Sequence, residues 1–425
     1  MRTWQRRLWK GFAAAFAAVV IALATLIGVF RLLAPLVPGY RVEVEHWAAR
    51  ALERPVSIAG MGARWDWYGP EITLDGVKLY SRDGKYVVIT AHQIRLGVTL
   101  RALLHGSFSA PSRIILVQPQ LGVVRDAEGR YTLRGFGNQT GKVQQLDWRN
   151  ALDDAFKQPA EIMVSDGSLT LFDQRQPATP LIFSSVDIKL DNAAESHALS
   201  GNAQLPPAFG RSVAFDAEVD GDALHPESWQ WQASIDGKGL QVPALLTYWP
   251  EYQNRFVDGS LDLHADAAGN GSALSRLKAH VSGSNLMPAG RTADGFNTLA
   301  GDVEWTQTAT GWTLDGRNIT LTRAGQSWSP SHFNLAYTAD AQSSDWRGTA
   351  NFLRLQDIDT LLGWLPSALR EKLKQLQRFA PQGDVSDAGF AVHFQNQHPE
   401  TWSVRGRFLD LGAHASGEIP GFTGM

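Results

Sequence analysis

From Val56 onward, apolar and polar residues alternate with a period of two, the pattern of strands with one buried and one solvated side. Ile94, Leu96, Val98 and Leu100 alternate with Arg95, Gly97 and Thr99. Val186, Ile188 and Leu190 do the same, as do Val213, Phe215, Ala217 and Val219, then Trp229, Trp231, Ala233 and Ile235. Leu261, Leu263 and Ala265 follow, then Phe333, Leu335 and Tyr337, then Phe390, Val392 and Phe394. The dipeptides Asp83-Gly84, Glu128-Gly129, Asp166-Gly167, Asp220-Gly221, Asp236-Gly237, Asp294-Gly295 and Asp315-Gly316 predict hairpin turns between strands. Short connections of this kind predict antiparallel neighbours.

Before Val56 the period is helical. Gly11 to Phe30 contains no charge and follows Arg2, Arg6, Arg7 and Lys10. At ~1.5 Å per residue that run spans ~30 Å, enough to cross a bilayer. Gly11, Phe12, Phe16, Val20, Leu23, Ile27 and Phe30 are its candidate lipid-facing positions. The basic flank belongs on the cytoplasmic side, which sends the body of the chain into the periplasm. Ala22-Leu23-Ala24 has the look of a signal-peptidase site, but apolar sequence continues to Val37, past the usual ~7–15 residues of a signal core. An uncleaved single-pass anchor in the bacterial inner membrane is expected.

Tyr40, Val44, Trp47, Ala48, Ala51 and Leu52 then share one helical face, with Glu43, Glu45 and Arg50 directed elsewhere. That face is expected to pack on the first strands rather than lie on lipid headgroups. Further helices are predicted at 146–156, 243–248 and 360–379. The stretch from Leu240 to Pro250 parallels Leu355 to Pro366 with one insertion, and an alternating strand follows each copy. A repeated unit of helix plus meander points to an extended array.

The chain has 39 basic and 42 acidic residues, a net charge of −3, and no basic block beyond the first ten positions, so nucleic acid is not an expected partner. It has no cysteine, which excludes disulfides, thiolate metal sites and cysteine nucleophiles. No HExxH, GxSxG, Walker or dinucleotide motif occurs. His46, His393 and His398 read as surface residues, and the acidic pairs Asp153-Asp154 and Asp357/Asp359 as groups beside helices that favour the N-terminal dipole or face water. No catalytic residue, cofactor or metal is expected, and the chain is read as a non-enzyme. Trp65-Asp66-Trp67-Tyr68-Gly69-Pro70 is the densest aromatic cluster, read as strand core plus turn, with an interfacial belt as the alternative.

The first ~135 residues resemble the N-terminus of the YhdP-type AsmA-like proteins. The match lies in the single membrane helix, the segment from Trp47 to Leu52 running into Arg54-Pro-Val, and the Trp65-x-x-x-Gly69-Pro70 run leading to Leu74 and Val77. It continues in Val88-x-x-Ala91-x-x-Ile94-x-Leu96 followed by Leu103-Leu104, and the stretch from Gly417 to Gly424 resembles a later part of the same family. The resemblance implies a mostly β protein: an extended, twisted antiparallel sheet rolled into an elongated groove, with a few short helices and one N-terminal transmembrane helix. It also implies phospholipid movement towards the outer membrane, with phospholipid, the inner membrane and envelope proteins as partners. Family members are longer, so this chain is expected to be the N-terminal part of such a protein.

Three regions are expected: 1–37, cytoplasmic stub and anchor; 38–160, helix plus AsmA-like meander; and 161–425, repeating groove segments. Two functional readings follow. In the first, the apolar side of the strands meets acyl chains, with Leu96, Val98, Ile114, Leu116, Val213, Phe215, Trp229 and Trp231 as candidate lining. In the second, the apolar sides pack on each other in stacked β-sandwiches and the protein is a scaffold of the cell envelope. Periodicity alone favours the sandwich slightly; the helix-plus-meander repeat and the resemblance favour the groove.

Overall fold

The computed structural model describes residues 2–66, 68–98, 111–134, 160–175, 180–193, 195–221, 225–248, 252–253, 255–289, 295–357, 380–396, 398–415 and 421–424. The fold is mostly β, an open sheet architecture with few helices and one long apolar N-terminal helix. Two compact units divide the chain, residues 1–201 and 202–425. The helices expected at 146–156 and 360–379 lie outside the described residues.

The first unit begins with α1 (Arg2–Leu33), which contains every candidate anchor position. Phe12, Phe16, Val20 and Leu23 are exposed, so the helix meets no protein core along that stretch and fits a single-pass membrane anchor. A 3-10 segment (Ala34–Tyr40) leads into α2 (Arg41–Ala51). Strands β1 (Val56–Ser57), β2 (Gly60–Asp66), β3 (Gly69–Tyr80), β4 (Val87–Gly97), β5 (Arg113–Arg125), β6 (Tyr131–Leu133), β7 (Ala160–Asp173) and β8 (Leu181–Asn192) follow. Neighbours are antiparallel except β5 and β7, which run parallel. The connection from β6 to β7 is long, and length is what a parallel return requires. Most neighbours were expected to pair antiparallel, and this parallel pair is the exception among the strand pairs of the first unit.

Register aligns the apolar residues across the sheet. Ile72, Leu96, Ile114, Ile162 and Leu190 stand directly opposite one another on successive strands, as do Leu74, Ile94, Leu116, Val164 and Ile188. Opposed residues share a face, so these two rows form one aliphatic surface. Further along each strand the apolar positions change parity: to Val77 and Leu79, Ala91 and Ile89, Leu121, Leu169, and Phe183. At the change, Gly76, Gln118, Asp166 and Ser185 adopt positive φ (58°, 47°, 51° and 46°). One left-handed residue inside a strand acts as a bulge, shifting the alternation by one. The row of such residues keeps the apolar surface on one side.

The second unit repeats the device. Its strands are β10 (Ser212–Asp220), β11 (Gln230–Gln241), β12 (Phe256–Asn270), β13 (Ala273–Pro288), β14 (Phe296–Thr308), β15 (Gly311–Arg323), β16 (Gln326–Ser327), β17 (Ser331–Ala339), β18 (Ser343–Arg354), β19 (Gln382–Gln395) and β20 (His398–Gly412), preceded by β9 (Ser196–Gln204), which crosses the unit boundary. Apart from the short β16, which pairs with β15, β10 to β20 form an antiparallel meander in chain order. One apolar row runs Ala217, Ala233, Ala267, Leu277, Trp305, Leu314, Leu335, Gly348, Phe390 and Val404. Gly239, Asn285, Asn318 and Asp387 take positive φ where the parity changes, to Leu240, Leu286, Ile319 and Val385.

Beyond that crease the apolar residues close into a core. Leu286, Phe296, Leu321 and Trp328 pack with Val242 of α3 (Val242–Leu246), and Phe296 is 1% exposed. The predicted helix at 243–248 thus forms, displaced by a residue or two. In the second copy of the repeat, residues 355–357 are also helical directly after a strand.

Several turn expectations are corrected. Asp83-Gly84 and Glu128-Gly129 do form turns, but Asp166-Gly167, Asp236-Gly237 and Asp315-Gly316 lie inside strands. Asp166 takes positive φ and forms a mid-strand bulge, whereas Gly237 and Gly316 lie in strand under the side chains of Leu240 and Phe333. Asp357, read as favouring a helix N-terminal dipole or facing water, lies in the helical turn at 355–357 and is buried, accepting hydrogen bonds from Arg323 Nη1 (2.8 Å) and Trp328 Nε1 (2.7 Å).

Candidate functional site: an open apolar sheet face

In a β-sandwich, inner-face residues are covered by the second sheet. Here much of the apolar face stays open, above all in the second unit, although Leu74 and Leu190 in the rows of the first unit are buried. Ile235, in the middle of a row, is 41% exposed, and on β20 Trp402, Val404 and Phe408 are exposed, Trp402 to 75%. Ile72 and Phe390 are also exposed.

Over β17 to β20 the face dips into a trough of about 420 Å³, lined by Phe333, Leu335, Ala350, Leu353, Val385, Ala388, Phe390, Val404 and Phe408. That volume lies within the range of small-molecule sites, ~300–1,000 Å³. Its lining is almost wholly hydrocarbon, Thr349 and Arg405 being the polar residues in it. Such a surface offers contact and shape but no directional polar recognition, which suits an alkyl chain.

Glycine sets the depth. Gly316 stands opposite Phe333, Gly348 opposite Phe390, and Gly269 opposite Trp231. A Cβ built on Gly348 would lie 2.2 Å from the Phe390 ring, one on Gly316 2.1 Å from the Phe333 ring, and one on Gly269 2.5 Å from Trp231. The rings therefore lie down over the backbone instead of standing up from it. This cross-strand pairing covers the glycines and keeps the floor low.

Of the candidate lining residues, Leu96, Ile114 and Leu116 lie in the aliphatic rows of the first unit. Val213, Phe215 and Trp231 share the apolar face of the second, opposite Gly237, Ile235 and Val219 respectively. Val98 lies one residue past β4, its N–H donating to the Pro70 carbonyl at 3.1 Å, so it caps the ladder rather than lining a strand. Trp229 likewise precedes β11, and its carbonyl accepts from the Gly271 N–H at 2.7 Å. Sequence reading did not pick out the trough over β17 to β20. Phe333, Leu335 and Phe390 were visible in the alternation, but nothing in a single strand shows where a face is left uncovered.

The chain also has a counterpart among known protein families: the profile of the YhdP protein family matches residues 1–425. The chain belongs to the YhdP family. No curated protein matches it.

The opposite face of this YhdP-family sheet is polar. Asp236, His264, His280 and Asp302 stand in one row across β11 to β14. His264 Nδ1 pairs with Asp236 at 3.0 Å, His280 Nδ1 with Asp302 at 2.7 Å, and Asn318 Nδ2 donates to Asp302 at 2.9 Å. The hydrogen bond with Asp236 raises the His264 pKa, and those from Asn318 and His280 lower that of Asp302. Among the described residues, no three or more His, Asp or Glu gather closely enough to hold a metal. These pairs keep one side of the sheet wet while the other stays apolar.

At the start of the first sheet, the aromatic cluster divides. Tyr68 is buried, its hydroxyl donating to Glu71, a carboxylate only 1% exposed that also accepts from Arg64 Nε at 2.8 Å. Burial, with that carboxylate beside it, pushes the Tyr68 pKa up to about 12. Arg113 stacks over the Tyr68 ring at 4.1 Å. Trp65 instead meets Phe30 of α1 edge to face, with ring centroids 5.4 Å apart. Trp67 lies outside the described residues.

Proposed function

We propose that this YhdP-family chain is an inner-membrane-anchored periplasmic protein whose apolar sheet faces carry phospholipid acyl chains towards the outer membrane. The observation that carries the reading is the open trough over β17 to β20, hydrocarbon-lined and uncovered by any second layer among the described residues. At ~0.8 kcal/mol per methylene, a fifteen-methylene chain gains about 12 kcal/mol on leaving water, in a bilayer or on such a face alike. Moving between the two is therefore close to isoenergetic, and a chain can slide without chemistry. The readings of non-enzyme and no cofactor fit this role, since sliding needs neither. The scaffold reading would have the same rows covered by a facing sheet, and the exposure of Ile235, Phe390 and Val404 counts against it.

The test is the phospholipid retained by the full chain in a detergent-free polymer, compared between variants so that lipid around α1 cancels. An arginine in hydrocarbon costs about 2.5–3.5 kcal/mol, so Leu335→Arg should weaken occupancy on the order of 100-fold and lower the retained lipid. Thr338→Arg, at an exposed position nearby, should leave it unchanged. Equal lipid in both variants, with both folded, overturns the proposal.

A further inference from the structure

Tyr40, Val44, Trp47, Ala48, Ala51 and Leu52 were expected to pack on the first strands; of these only Val44 and Ala48 are half-buried, and the other four are exposed. Tyr40, Val42, Trp47 and Leu52 are exposed, Trp47 to 65%. What turns inward is a polar clamp. Arg41 Nη1 donates to Glu45 Oε1 at 3.0 Å and to the Ile58 carbonyl at 2.7 Å, while the Ile58 N–H donates to Glu45 Oε1 at 2.6 Å. Ile58 is itself 2% exposed, so its backbone groups need these partners, and the clamp fixes the rotation of α2 about its axis.

We infer that the outward side of α2 is a second membrane contact, lying on the headgroup layer of the bilayer that α1 crosses. Position comes first. The 3-10 segment between the two helices has seven residues. At ~2.0 Å each it holds the start of α2 within ~14 Å of the end of α1. Phe30, near that end, already touches Trp65 of β2, so this side of the sheet stands at the membrane boundary. Chemistry comes second. Tyr40 and Trp47 are the ring types that favour the headgroup zone, and Val42, His46, Trp47 and Arg50 are all exposed along the helix. An acidic helix would suit a membrane surface poorly. Here Glu45 is consumed by the clamp, leaving Glu43 against Arg50 and His46. The outward side is near neutral, so contact should not require anionic lipid.

The inference rests on α1 as a membrane anchor and is independent of lipid carriage. The cysteine-free sequence permits single-site labelling of the full chain in vesicles of phosphatidylcholine, with or without phosphatidylglycerol. An environment-sensitive fluorophore is attached at Trp47→Cys, Val42→Cys, Leu23→Cys or Glu218→Cys, all exposed positions. Shallow nitroxide lipids should cut fluorescence about twofold or more at 42 and 47, deep ones at 23, and neither at 218, in both lipid mixtures. A label at 47 as unquenched as that at 218, beside a quenched label at 23, overturns the membrane contact while leaving the anchor intact. Loss of quenching at 23 as well overturns both.

Discussion

At the scale of single residues, the trough depends on what is missing beneath the aromatic rings. Gly348 has no side chain because the Phe390 ring occupies that space, with Leu335 Cδ2 2.8 Å from where a Cβ would sit. Gly348→Ala should therefore force the ring upward, at about 1–3 kcal/mol for overpacking a filled site. The clash needs both partners. In a Phe390→Ala background the same substitution should cost less than half as much, read as the coupling term of a double-mutant cycle in urea unfolding. Equal costs in the two backgrounds would mean that the glycine is there for the backbone and not for the ring.

At the scale of the element, each long strand is two half-strands joined at a bulge. Asn285, exposed and at φ 52°, is a clean place to measure what that joint costs. Valine resists the left-handed region, so Asn285→Val should destabilise by about 1–2 kcal/mol, whereas Asn285→Gly should be close to neutral. Chemical denaturation of the two variants checks the difference; equal stabilities would contradict a joint of this kind. Period-two alternation was legible in the sequence, and it correctly placed Ile94 and Leu96, Phe215, Leu335 and Phe390 on apolar faces. The joints were not legible, because Asp166-Gly167 reads equally well as a hairpin turn and nothing marks Asn285 or Asn318. Only pairing with a neighbour distinguishes a bulge from a turn. The inward face of α2 escaped for a similar reason: apolar periodicity marks Tyr40 and Trp47 but carries no sign of a backbone carbonyl and N–H at Ile58 waiting for Arg41 and Glu45.

At the scale of the whole molecule, the second unit has a sheet with a polar side held by cross-strand pairs and an apolar side that stays open over β17 to β20, while in the first unit Leu74 and Leu190 of the apolar rows are buried. In the second unit the apolar rows end in a closed core around Phe296 and Leu321, packed by α3, so one chain shows both outcomes of the same alternation. The sequence left groove and sandwich open; the exposure of Ile235, Phe390 and Val404 bears on that choice, and exposure is a tertiary property that no strand encodes alone. The most direct test is site-specific photo-crosslinking in cells. A photoreactive residue at Leu116, Leu335 or Phe390 should yield phospholipid adducts, and one at Gln120, Asn334 or Arg347 should not. Adducts at neither set, or at both sets equally, would contradict an apolar face that meets acyl chains.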